Sequence, residues 1–188
     1  MAALSTRKRL QRGLRRFHHE QRGAAAVEFA IVITLLTVPV LNVVDLAQYA
    51  WDRMQVDNAA QMAVQAAWGT CKLASNLPAT PNSYANCTGM PAAVTTAAQS
   101  TSLGTLVTVS ATTEGYYCVK TSTSAIVAVG TFPGTKPSDC SSVGLASDVP
   151  GDYVLITTSY TYSPIFPAVS IASGLTTPIT RVAWMRLG

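Results

Sequence analysis

The chain has 188 residues, 48% of them apolar and only 12% charged, about half the charged share of an ordinary soluble domain. That length holds one modest domain plus a membrane segment, and the apolar content excludes a disordered chain. The net charge of +4 divides unevenly, with seven basic groups and one acid in residues 1–23 against six basic groups and eight acids in the rest, so no nucleic-acid partner is expected.

In chain order, the basic cluster Arg7, Lys8, Arg9, Arg12, Arg15, Arg16 and Arg22 comes first. It precedes an apolar run, Ala24 to Val44, whose single charge is Glu28. As a helix this run rises about 30 Å, the thickness of a hydrocarbon core. The basic side should stay cytoplasmic, which makes the run a single-pass anchor in contact with lipid. A cleaved secretory signal fits poorly: the run exceeds the usual h-region of about 7–15 residues, and "DLAQYAWDRMQ" offers no A-x-A-like site. The helix is expected to continue past the membrane. Leu46, Tyr49, Ala50, Val56, Ala60, Ala63, Val64 and Ala67 recur at three- and four-residue intervals, with Asp45, Gln48, Asp52, Gln55 and Gln65 mostly elsewhere around it. One helix is therefore predicted from Ala24 to about Trp68, amphipathic over 45–70, with Pro39 causing a kink or a locally melted turn. Trp51 suits either an interfacial anchor or packing against a sheet.

Past Trp68 the composition turns to Gly, Pro, Ser, Thr and Asn. "PAAVTTAAQSTSL" reads as a short helix, and "LVTVSA", "YYCVK", "AIVAVG", "DYVLITTSYTY" and "ITRVAWMRL" as strands. "SPIFPAVSIASGL", with two prolines, reads as a long connection. The fold class that follows is α+β: a long N-terminal helix packed on a small antiparallel sheet.

Cys71, Cys87, Cys118 and Cys140 all follow the membrane run, a pattern of an oxidising compartment. Proximity in sequence favours 71–87 and 118–140 among the three possible pairings; free thiols are the alternative, and no C-x-x-C element supports a metal site. An enzyme is not expected. The two histidines, His18 and His19, lie in the basic leader, no phosphate-cradling glycine loop is present, and Glu114, Asp139, Asp148 and Asp152 stand beside glycine, proline or serine as turn formers do. No cofactor is implied. Asn86-Cys87-Thr88 matches a glycosylation sequon by letter only.

The basic leader ending in "RG" and the motif "GAAAVEF" at Gly23–Phe29 resemble type IV pilin precursors. The stretch from "QRGAAAVEF" to "NAAQMAVQAA" and the tail "YTYSPIFPAVSIASGLTTPITRVAWMR" look more closely like TadE-like proteins of tight-adherence (Flp, type IVc) pilus systems. The resemblance implies a pilin-like fold, a leader of residues 1–23 removed by a prepilin peptidase between Gly23 and Ala24, a transmembrane stretch over 24–44, its extracytoplasmic continuation over 45–70, and a periplasmic, disulfide-stabilised domain over 71–188. It implies a bacterial inner-membrane minor pilin or pseudopilin. Its partners would be other major and minor pilins, an inner-membrane assembly platform and a cytoplasmic motor; incorporation into a surface pilus would tie it to cell adhesion. Phe29, where short major pilins more often have tyrosine, and the large C-terminal region favour the minor class. An intramembrane carboxylate costs on the order of 2.5–3.5 kcal/mol on insertion scales, and the resemblance supplies Glu28 with a partner, the α-amine that cleavage frees on Ala24. The alternative function is an uncleaved, signal-anchored envelope domain that binds a surface or envelope ligand.

Overall fold

The computed structural model describes residues 21–80, 84–120, 123, 125–175 and 177–188; the leader expected over residues 1–23 lies almost wholly outside the described residues. Helix α1, Gln21–Cys71, is 51 residues long, about 77 Å at the standard rise. It passes through Pro39 without interruption, so the melted turn expected there is absent. The lost amide donor frees only one backbone carbonyl, and the remaining turns hold.

The two halves of α1 lie in different surroundings. Residues 23–40 are exposed throughout, and cover by the domain begins at Leu41 and Asn42. From there the packed face is Asp45, Asp52, Val56, Ala59, Ala60, Ala63, Val64, Ala67 and Cys71. This corrects the expected polar face: Asp45 and Asp52 point into the protein, whereas Leu46 and Ala50 point out. The alanines leave little side chain between helix and sheet, which permits close approach.

The sheet is curled, four-stranded and antiparallel throughout, in the order β2-β1-β3-β4, with β1 Thr108–Lys120, β2 Ala125–Ala128, β3 Gly151–Tyr160 and β4 Ile179–Arg186. "LVTVSA" and "YYCVK", expected as two strands, belong to one 13-residue strand with a register shift between Val109 and Ala111. A bulge absorbs the irregularity without ending the pairing. The inner face presents Val154, Ile156 and Thr158 of β3 to α1, and the Thr158 hydroxyl donates to the Val56 carbonyl at 3.0 Å, fixing strand against helix. Helix α2, Met90–Ala98, is shorter than expected and starts with Pro91 in its first turn, where a missing amide donor costs least. Its buried side, Met90, Val94 and Ala98, completes the main core with Ala59, Ala63, Ala67, Val154 and Ile156. The connection from β3 to β4 is long and holds one 3-10 turn, Ile171–Gly174.

Cys71 is bonded to Cys87 and Cys118 to Cys140. The first bond ties the end of α1 to the approach to α2; the second ties β1 to the loop preceding β3 and closes a small core with Tyr116 and Val129.

Candidate functional site

In the bare half of α1, Gly23, Ala24, Glu28 and Phe29 are all exposed, with Phe29 66% exposed. A Cβ on Gly23 would meet nothing within 4 Å, so the fold itself places no demand for glycine there. Ala24 and Glu28 are four residues apart, hence on one face of the helix. Among the described residues Glu28 has no hydrogen-bond or ion-pair partner. The polar side chains further along are satisfied within the helix: Thr34 donates to the Ala30 carbonyl and Thr37 to the Ile33 carbonyl, each at 2.7 Å. This is the arrangement hydrocarbon requires, since no water is there to take up a free donor. The one described helix apolar enough to cross a membrane is α1, which makes it compatible with a single-pass anchor.

Where cover begins, two polar residues hold the β3–β4 connection. Asn42 donates to the Val169 carbonyl at 3.0 Å and accepts from the Ile171 amide at 2.6 Å. The Asp45 carboxylate accepts from the amides of Ile165, at 2.9 Å, and Phe166, at 3.3 Å, while the Tyr162 hydroxyl donates to the Asp45 carbonyl at 2.9 Å. Sequence reasoning missed this junction. The available signal was an acid and an amide at the end of an apolar run, paired with a proline-containing segment free of charge.

A third polar group lies inside the domain. Both Glu114 oxygens accept from the backbone amides of Ala79 and Thr80, which straps the segment after α1 to the sheet. Asp152 is 4% exposed, and one of its oxygens has no partner. Burial first, then the adjacent Glu114 carboxylate and a hydrogen bond to it, push the Asp152 acid up to about 7, against the pull of Lys136. Burial and the same two acids also raise the Tyr116 phenol, whose hydroxyl donates to the Gly134 carbonyl at 2.9 Å. Neither acid is a turn former as expected: Glu114 is on β1 and Asp152 on β3, both buried. Asp52 is likewise raised by burial, partly offset by Gln48, which donates to it at 2.9 Å. Of these carboxyls Glu114 holds separate segments together, an architectural use. Trp51 is 53% exposed. The side chain of Asn86 donates to the Pro78 carbonyl at 2.9 Å.

An exposed apolar half of a helix continued into a half covered by an α+β domain is an arrangement compatible with a single-pass membrane anchor. Over residues 23–65 the chain matches the family model described as TadE-like protein, consistent with a TadE-like pilin of the Tad pilus system. The match begins at Gly23 and ends inside the packed half of α1; the C-terminal tail lies outside it. No curated protein and no solved structure matches the chain.

Proposed function

We propose that this protein is a minor pilin or pseudopilin of a Tad/Flp-type pilus, processed after Gly23 and inserted through α1 into an assembly with other pilins. The observation that carries this reading is the family match over 23–65, which begins at the glycine of the processing motif and covers the whole bare half of the helix. On this reading Gly23 serves the peptidase, in keeping with the empty space around it. The free α-amine of Ala24, on the mature protein or on a neighbour, meets Glu28 in a low dielectric where each charge alone is costly. The domain lies on the periplasmic side, because the basic leader stays cytoplasmic and the disulfides need an oxidising compartment. The role is structural and not enzymatic; the peptidase and the inner-membrane platform act on the chain.

The N-terminal residue of protein purified from the envelope tests this. Ala24 is expected, and Gly23→Leu should leave a full-length precursor, because side-chain bulk enters a site built for a minimal residue. Met1 or Ala2 on the wild-type protein would instead support the uncleaved, ligand-binding anchor.

A further inference from the structure

The bare segment of α1 scarcely reaches across the membrane it is read as crossing. From Gly23 to Val40, the last residue before domain cover begins, the helix rises about 27 Å, and from Phe29, the first residue after the Glu28 carboxylate, only about 18 Å, against a hydrocarbon core of about 30 Å. The solvent-facing surface of α1 remains free of charge well beyond that point. Val43, Val44, Leu46, Ala47, Ala50 and Trp51 are exposed, and Arg53 is the first exposed charge after Glu28. Phe29 to Trp51 rises about 34 Å, which spans the core and ends on an interfacial tryptophan. Asp45 falls within that length, but its carboxylate is buried against the amides of Ile165 and Phe166. The β3–β4 connection that covers it must then occupy the same depth.

Its composition suits that depth. No charged residue occurs between Tyr153 and Thr180, and the connection exposes Ile165 at 55%, Val169 at 41% and Ile171 at 65% beside the helix. Part of its backbone polarity is satisfied by Asn42 and Asp45, so those amides and that carbonyl do not need water. We propose that the near edge of the domain is seated in the leaflet on its own side of the bilayer, with Ile165, Val169 and Ile171 forming a second lipid contact beside the crossing helix. The inference rests on the membrane-anchor part of the proposed function. It gives the buried acid a purpose: Asp45 holds an apolar loop at membrane depth without exposing its own charge to lipid. The domain is thereby held at fixed height and tilt over the membrane, which sets how it meets a neighbouring subunit.

Spin labels on Ile165→Cys and Ile171→Cys, one at a time, test this in the full chain. It is reconstituted as one protomer per nanodisc of phosphatidylethanolamine and phosphatidylglycerol. Val38→Cys marks the crossing helix, and Thr113→Cys marks the sheet surface. Labels at 165 and 171 are expected to collide with oxygen in preference to a water-soluble nickel chelate, with a ratio several-fold above that at 113 and approaching that at 38. A ratio at both loop sites equal to that at 113, with 38 in lipid, overturns the second contact and leaves the anchor intact. Labels at 165 and 171 shielded from both reagents overturn it in favour of contact with protein. A label at 38 that behaves like 113 removes the anchor itself, and the inference with it.

Discussion

The two halves of α1 share their alanines but differ in polarity, with one charge in residues 23–40 against four charges and four glutamines in residues 45–71, and the protein treats them oppositely. In residues 23–40 the side chains face outward and the hydroxyls of Thr34 and Thr37 close on their own helix. In residues 45–71 two carboxylates face inward, where Asp45 anchors a loop, Asp52 takes a hydrogen bond from Gln48, and small alanines admit the sheet. On the proposed function the first half receives partners from outside the chain, whereas the second already has its partners within it. Polarity alone does not say which side of a helix is inside; what matters is whether the rest of the chain can satisfy the polar group.

Substitutions in the two halves should therefore read out on different scales. Ile156→Ala opens a cavity beneath the packed half and should destabilise the domain by about 2–5 kcal/mol, whereas Leu36→Ala in the bare half should alter it by less than about 0.5 kcal/mol. Thermal unfolding of the domain followed by near-UV circular dichroism measures both. Equal effects would erase the distinction between the halves. Removing the Cys71–Cys87 bond with a double serine substitution should cost about 2–4 kcal/mol, since it releases the end of α1 from α2. Unfolding in the same assay, with and without reductant, checks that value.

The strap at Glu114 makes a sharper prediction through pH. Asp152 has its acid raised from 3.8 to about 7, so the folded state holds a proton that the unfolded chain has released across that window. The stabilisation linked to this group is complete below about 3.8 and is lost as pH rises through about 7, an effect on the order of a few kcal/mol. Asp152→Asn keeps position 152 uncharged at every pH. The stability difference between variant and wild type should therefore shift in favour of the variant between pH 5 and pH 8. The groups facing the acid are Glu114, Tyr116 and Lys136, and a pH-independent difference would assign the effect elsewhere.

Much of this architecture was legible in the sequence. Apolar length, basic flank and strand composition marked out the long helix, the α+β class and four of the five strand segments in their final places, with the fifth merging into β1. Proximity also favoured the two pairings that the four cysteines make in the folded chain. The buried acids were not legible. Asp45 looks solvent-facing until a loop 120 residues later supplies its amides. Glu114 and Asp152 looked like turn residues because glycine adjoins each; in the fold a Cβ on Gly115 or Gly151 would strike the ring of Tyr117 or Tyr153, at 2.9 and 2.5 Å, so these glycines make room for aromatic rings across the outer sheet face. Each ring belongs to the tyrosine two residues on along the same strand, hence on the same face, and a Gly-x-Tyr spacing does not by itself tell a strand from a turn.

The smallest expected effect on folding belongs to Glu28, and it carries the largest consequence for assembly. Glu28→Ala removes the insertion cost of a carboxylate and touches nothing in the domain, so abundance, domain stability and cleavage after Gly23 should stay at wild-type levels. What should be lost is the partner of the Ala24 α-amine, leaving a charge unpaired between helices. The direct measurement is co-purification of other pilins with the correctly processed Glu28→Ala protein from envelope extracts, alongside a count of pili. The account predicts strongly reduced pilin association and few or no pili at normal abundance. Wild-type association and piliation in that strain would contradict the claim that the bare half of α1 is the assembly surface organised by Glu28.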